Sequence, residues 1–302
     1  MKRGIRLEII TIEDNRYPDT LRKIKNPPRK LYAEGNVALL KSNIISMIGS
    51  RACSENGKKL AEQFAKELVY QGLTIASGMA IGIDTIAHQT TLQEGGKTIA
   101  VLGCGLRQLF PKENEELYQQ IIQKSGLVIT EYAPNVKACS QHFLARNRIV
   151  SGLSLGILVI EAAHRSGTSV TAKLAKEQGR KVFAVPHEIH DKHGIGTNRL
   201  IQNGAKIVTT TEDMIAEFPF LQYKPLPMKL REKKTKRRKK VCKIQEYDRI
   251  YQWITEEPIS LDEISKKSKE DVAKINNVLL MLEIEGYIEK VVGGYRCILE
   301  EK

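Results

Sequence analysis

A chain of 302 residues with 41% hydrophobic and 27% charged residues has the make-up of a globular protein of about two domains. No apolar run is long enough to cross a bilayer. The five cysteines (Cys53, Cys104, Cys139, Cys242, Cys297) are scattered without a CxxC pair, which speaks against a disulfide framework or structural zinc and for a reduced, cytoplasmic protein. The net charge of +13 is unevenly placed: residues 1–228 hold 30 basic against 21 acidic side chains, residues 229–240 nine against one, and residues 241–302 nine against 13. A basic body with a basic tether suits a polyanion such as nucleic acid, and the acidic end does not share that preference.

Residues 1–40 read as a lead-in that packs on the main domain without a core of its own. Its basic start gives way to acidic residues with no small-residue cleavage site, so no signal peptide is expected. Tyr17-Pro18 and Asn26-Pro27-Pro28 break it into extended or turn segments, and Leu31–Ala33 is a brief strand. From Asn43 the pattern alternates. Strands are expected at Ile44–Ile48, Leu73–Ala76, Thr98–Leu102, Leu127–Thr130, Leu155–Ile160, Val182–Val185 and Ile207–Thr209. Helices fall between them at Ser54–Tyr70, Gly82–Gln93, Asn114–Gln123, His142–Leu153, Thr171–Gln178 and Thr197–Gln202, and Glu212–Phe218 closes the domain. This alternation predicts right-handed crossovers and a mostly parallel, doubly wound α/β sheet over residues 41–218.

In such a sheet, ligands bind beyond the carboxyl ends of the strands. Here those ends read Gly49-Ser50-Arg51, Ser77-Gly78-Met79-Ala80-Ile81-Gly82, Gly103-Cys104-Gly105, Ala163-His164-Arg165-Ser166-Gly167-Thr168 and Pro186-His187. Gly, Ser and Thr at several equivalent ends let backbone amides approach a ligand and add hydroxyl donors. Neither GxGxxG spacing nor a GxxxxGK[ST] loop occurs, so a dinucleotide site is not supported and no cofactor is expected. Residues 141–172 combine a helix with Ala145, Ile149, Gly152 and Leu153 at helical spacing, a continuous apolar strand, and Ser166-Gly167-Thr168 opening a second helix. Free amides and the helix dipole make that opening a floor for phosphate; the alternative is an ordinary capped helix after an ordinary strand.

Residues 219–244 read as a linker. Pro219, Pro225 and Pro227 lead into KLREKKTKRRKK, whose like charges repel and keep it extended. Residues 245–302 have the pattern of a winged helix: helices at Tyr247–Thr255, Leu261–Lys266 and Asp271–Glu285, then a hairpin turned by Gly293-Gly294. Val272, Ile275, Val278, Leu279 and Leu282 share one face of the third helix. A DNA-reading winged helix presents Lys and Arg there. This one offers Lys274 against Glu270, Asp271, Glu283 and Glu285, which favours a protein-contact or regulatory role.

The segments YPDTLRKIKNPPRKLYAEGN, MIGSRACSENG, IASGMAIGIDTIAH, TIAVLGCGLRQLFPKEN, HFLARNRIVSGLS and LVIEAAHRSGTSVTAKLAKEQGRKVFAVP follow one another over about two thirds of the chain. Through them, residues 16–218 resemble the DprA/Smf family of bacterial DNA-processing proteins. The resemblance implies an extended Rossmann-like domain that binds single-stranded DNA, forms homodimers and helps load RecA recombinase onto incoming DNA, protecting transforming strands in naturally competent bacteria. The winged-helix tail is similar to that of many members. For DNA binding, the resemblance implies roles for Gly49, Ser50 and Arg51 in the GSR turn, with Arg51 on phosphate, and for Ser77 and Gly78 along the same groove. Phe143 with Arg146, Asn147 and Arg148 would supply stacking and backbone contacts, and Ser166, Gly167 and Thr168 amide and hydroxyl donors. The chemistry agrees, since sequence-independent binding of a single strand needs a cationic groove with aromatic platforms. Arg146 and Arg148 lie two positions apart and face differently on a regular helix. Arg146 is expected to meet DNA, and Arg148, nearer the Ala145/Ile149 side, to make an internal pair.

The chain departs from the family pattern at Leu144, where proline is expected, at Phe110, where tyrosine is expected, and at Pro186-His187, where Pro-Gly is expected. The last change gathers His187, Glu188, His190, Asp191 and His193 in one loop. No helix or strand aims these side chains, so a solvated polar loop and no metal are expected. The competing function is a nucleotide-processing enzyme similar to the Rossmann-like phosphoribohydrolases, whose PGGxGTxxE signature is missing here. Asp84 and His88 stand at the spacing of an acid/base pair, but a helix-start carboxylate and a packed histidine is the favoured reading. Glu131 and Glu161 are expected to fix loops, and no catalytic residue is expected. A third class, a transcription regulator working through the tail, is weakened by the tail's acidity.

Overall fold

In the computed structural model, which describes residues 7–163, 166–227, 230, 238–239, 242 and 245–300, the alternating segments close into a nine-stranded sheet. The lead-in supplies Glu8–Thr11 (β1), a short helix at Asp19–Arg22 (α1) and Lys30–Gly35 (β2). Then follow Ile44–Ile48 (β3), Glu55–Tyr70 (α2), Thr74–Ser77 (β4), Ile83–Gln93 (α3), Thr98–Val101 (β5), Glu115–Gln123 (α4) and Leu127–Thr130 (β6). The second half runs Ser140–Leu153 (α5), Gly156–Val159 (β7), Gly167–Glu177 (α6), Lys181–Ala184 (β8), Ile195–Gln202 (α7), Lys206–Ile207 (β9) and Thr211–Ile215 (α8). In space the strands lie β1-β2-β6-β5-β4-β3-β7-β8-β9. Pairing is parallel from β6 through to β9 and antiparallel at β1–β2 and β2–β6. The expected doubly wound, mostly parallel sheet is the one observed.

β3 shows why the sheet is stable. All five of its residues are buried, and because side chains alternate across a strand, they feed two cores. Ile44 and Ile48 join the core that holds Ile149, Val150 and Leu153 of α5, while Ile45 and Met47 join the one that holds Phe64 and Leu68 of α2. Each such side chain removed from water contributes about 1.5–3 kcal/mol before entropy is counted. Ser46, on the α5 side, donates its hydroxyl to the Val150 carbonyl, so its burial leaves no orphaned donor.

The lead-in does more than pack on the domain: it extends the sheet. β1 was absent from the sequence pattern because its four residues bury only Ile10, too few for a periodic signal. Tyr17, Leu21 and Leu31 are fully buried, and the Tyr17 hydroxyl donates to the Pro28 carbonyl. Residues 219–224, expected as linker, are also anchored. Phe220 packs on Phe218, and the Gln71 side chain both donates to and accepts from the backbone of Lys224. The basic run 229–240 lies outside the described residues except for Leu230 and Arg238–Lys239; the latter pair antiparallel with Leu299–Glu300.

The C-terminal unit is a winged helix with a core of its own. Its helices, Gln245–Tyr251, Leu261–Ser268 and Val272–Ile284, enclose Ile250, Ile254, Ile264, Ile275, Leu279 and Leu282. The hairpin strands Ile288–Val291 and Gly294–Cys297 pair Val291 with Gly294, so the turn is Val292-Gly293, one residue earlier than expected. Lys274 of the third helix is held by Glu270 at 3.0 Å.

Candidate nucleic-acid interface

β3 has β4 on one side and β7 on the other. The chain winds outward through β4, β5 and β6 in one direction and through β7, β8 and β9 in the other. The crevice beyond the carboxyl ends of β3 and β7 is therefore the topological switch point, where open α/β sheets receive ligands. A cleft of about 520 Å³ opens there. Gly49, Ser50, Arg51 and Ala52 form one wall, Ser166, Gly167, Thr168 and Thr171 of the α6 opening another, and Phe143, Leu144 and Asn147 of α5 a third.

The turn after β3 is pinned from several directions. Thr168 donates its hydroxyl to the Gly49 carbonyl at 3.1 Å, which ties the α6 opening to the GSR turn. The Ile83 amide donates to the Ser50 carbonyl at 3.2 Å. Gly82, at φ +80°, allows this approach, since a Cβ there would stand 2.4 Å from the Ser50 oxygen. Across the switch point, Glu161 accepts from both the amide and the hydroxyl of Ser54, the residue that caps α2. Glu161 thus fixes a loop, as expected. Arg51 stays exposed and forms no ion pair among the described residues. Ser166 caps α6 by accepting from the Ser169 amide, leaving the first helical amides at the cleft.

The turn after β4 is held from beneath. Asp84 accepts from the Gly78 and Ala80 amides, Asn114 donates to the Met79 carbonyl, and Arg146 donates to the carbonyls of Gly78 and Val101. These contacts hold Met79 in the left-handed region at φ +62°, a conformation that costs a non-glycine residue free energy. Burial pushes the Asp84 carboxyl above the usual carboxylate range, and Arg146 draws it back. Burial likewise lowers the Arg146 guanidinium from its ordinary value, with Asp84 opposing.

The structure brings together Gly49, Ser50, Arg51, Gly78, Phe143, Asn147, Ser166, Gly167 and Thr168 around the cleft and differs from expectation at Ser77 and Arg146. Ser77 is fully buried and donates to the Met47 carbonyl, so it faces the sheet interior. Arg146 borders the cleft but is 4% exposed, with its head group spent on two carbonyls beneath the turn. It is not the outward arginine. Arg148 makes the expected internal pair, gripping Glu131 through two hydrogen bonds of 2.7 Å. His164 and Arg165 lie outside the described residues.

Several features were missed or are sharpened by the geometry. Phe110, 53% exposed, stands with its ring centroid 5.5 Å from that of Phe143, which widens the aromatic surface at the rim; the sequence marked it only as a departure from tyrosine. Gly103 makes room for this pair, because a Cβ there would meet the Phe143 ring at 2.7 Å. His88 is the packed histidine expected: the Thr98 hydroxyl donates to the Ile75 carbonyl and so accepts from the His88 Nδ1–H. Burial pushes its pKa down to about 3. In the His187–His193 loop, the Asn198 side chain brackets the His187 backbone and Asp191 accepts from the His193 amide. No group of three or more metal-ligating side chains occurs among the described residues.

Fold and site together define a doubly wound α/β protein whose switch-point cleft is lined by amides, hydroxyls, an exposed arginine and aromatic rings. Residues 8–219 match the family described as DNA recombination-mediator protein A, and residues 243–294 match the DprA winged helix domain. The chain belongs to the DNA recombination-mediator protein A family, also known as DprA/Smf. It is 47% identical over 210 residues to the DNA processing protein DprA of Streptococcus pneumoniae, covering 70% of this chain and 74% of that one. Against Protein Smf of Escherichia coli it is 35% identical over 288 residues, 95% of this chain and 76% of that one. Among solved structures, DprA from S. pneumoniae aligns with a TM-score of 0.67 at 44% identity, covering 71% of this chain and 75% of that one. DNA processing protein A from Helicobacter pylori aligns at 0.64 with 30% identity, covering 72% and 97%; that structure addresses the unique single-stranded DNA binding mode of that protein.

Proposed function

We propose that this chain is a non-catalytic, cytoplasmic binder of single-stranded DNA, a homodimeric recombination mediator that protects incoming single strands and helps load RecA recombinase onto them. The observation that carries the DNA-binding part is the convergence, at the switch point, of the Gly49–Arg51 turn, the opening of α6 and the Phe143 ring on one cleft. Amides, hydroxyls and a cation suit phosphates of any sequence, and ring faces suit any base. Family membership supports the mediator role. The carboxylates that an enzyme reading would enlist are spent on structure: Asp84 on two amides, Glu131 on Arg148 and Glu161 on Ser54. Changing the exposed Arg51 to Glu should lower affinity for a single-stranded oligonucleotide by at least about tenfold at low salt, with unfolding unchanged. Wild-type affinity in that variant, measured by fluorescence anisotropy across a salt series, would overturn the assignment.

A further inference from the structure

In the winged-helix unit, nine of the 13 residues of the third helix, Val272–Ile284, are apolar, more than one buried face can use. Ile275, Val278, Leu279 and Leu282 are buried and complete the unit's core with Ile250, Ile254 and Ile264. Ala273, Leu280 and Ile284 recur at i, i+7 and i+11 on the opposite side, with Met281 beside them. Leu280 is 56% exposed and Ile284 68%, so the stripe lies open along about 17 Å of helix. A helix that is apolar on both faces is one that expects cover on both.

The two ends of the stripe differ in charge. At the N-terminal end, Asp271 caps the helix by accepting from the Ala273 amide, and Lys274 is held by Glu270 at 3.0 Å. At the C-terminal end stand Glu283 and Glu285, with no basic residue in the last turn and no ion pair to either among the described residues. Carboxylates at the negative end of a helix dipole work against the helix, so local stability does not account for them. We propose that this face docks an amphipathic protein helix: its apolar side packs on Ala273, Leu280, Met281 and Ile284, and its Lys or Arg residues lie at the end that meets Glu283 and Glu285. About three turns of such a partner cover the stripe. Nucleic acid and anionic membranes are repelled by the same carboxylates, and the unit as a whole carries 13 acidic against nine basic residues. A second copy is disfavoured as well. Two of these helices related by a two-fold axis would set Glu283 and Glu285 against each other when parallel, or against the Glu270–Asp271 end when antiparallel. The inference does not depend on the single-strand site.

The test uses the full chain and two fluorescent synthetic helices of about 15 residues, one of leucine and lysine at amphipathic spacing and one of leucine and glutamate. Because the chain carries a net charge of +13, a basic peptide is repelled elsewhere on it, and binding reports on this acidic unit. The lysine helix should bind at least about tenfold more tightly than the glutamate helix. Leu280→Gln/Ile284→Gln, two exposed positions taking a good helix former, should weaken the lysine helix by about tenfold with thermal unfolding unchanged. Glu283→Lys/Glu285→Lys should weaken it similarly and strengthen the glutamate helix. Equal binding of the two peptides, or wild-type affinity for the lysine helix in both variants, would overturn the proposal. So would self-association in sedimentation, or duplex-oligonucleotide binding, that is lost in Leu280→Gln/Ile284→Gln; the face would then belong to a second copy or to DNA.

Discussion

Gly78 shows how one missing side chain organises a site. Its peptide is gripped by Asp84 through the amide and by Arg146 through the carbonyl, and a Cβ would stand 2.4 Å from the Arg146 guanidinium. The sequence suggested a glycine that lets a ligand approach; the structure shows one that also lets a buried cation approach from below. Gly78→Ala should destabilise the protein by about 1–3 kcal/mol in denaturant titration, since the guanidinium is tied to two carbonyls and cannot swing aside. A neutral effect would mean that Arg146 is free to move. His88 makes a pH-dependent prediction. Its folded pKa of about 3 lies below the ordinary 6.5, so between these values the unfolded chain binds more protons. Its contribution is fully present above about pH 6.5 and is lost as pH falls toward 3, by up to about 1.4 kcal/mol per pH unit. His88→Gln should flatten the plot of unfolding free energy against pH in that window by up to one proton. Identical slopes would refute a neutral, buried His88.

At the scale of elements, α5 ties the lead-in to the cleft. Arg146, Ile149, Val150 and Leu153 are all buried and recur at i, i+3, i+4 and i+7. That stripe was readable in the sequence and places Arg146 on the inner face. The expectation that Arg146 meets DNA rests on an Ala145/Ile149 side that favours Arg148 as the internal arginine; Val150 and Leu153 move the buried stripe onto Arg146. The helix is positioned from outside the parallel sheet: Leu21 and Ile24 of the lead-in press on Gly152, and Thr20 donates to the Leu153 carbonyl. The lead-in thus bears on the site by holding the helix that presents Phe143 and Asn147. Leu21→Ala should cost about 2–5 kcal/mol in denaturant unfolding, the range for a fully buried leucine, although the residue lies far along the chain from the cleft. A loss below 1 kcal/mol, smaller than any cavity of this kind leaves, would show the lead-in to be dispensable.

At the scale of the whole molecule, charge and apolar surface divide the labour. The switch-point cleft lies in residues 1–230, whereas the winged helix carries an excess of acidic residues. Its third helix exposes Leu280, Met281 and Ile284 and ties Lys274 to Glu270, a surface suited to protein more than to phosphate. Removing residues 241–302 should leave single-strand affinity nearly intact; a loss beyond about tenfold, or 1.4 kcal/mol, would assign the tail a direct part in DNA binding.

The amino-acid order by itself determined the alternation of strands and helices, the Gly, Ser and Thr turns at the strand ends, the winged helix and the family, because hydrophobic period and turn chemistry are local properties. Only the tertiary structure decided that β1 and β2 extend the sheet, that Ser77 and Arg146 turn inward, and that Phe110 meets Phe143 at the cleft. Those outcomes depend on which strands become neighbours and on where a buried donor finds a carbonyl, and both are settled by contacts between residues distant in the chain.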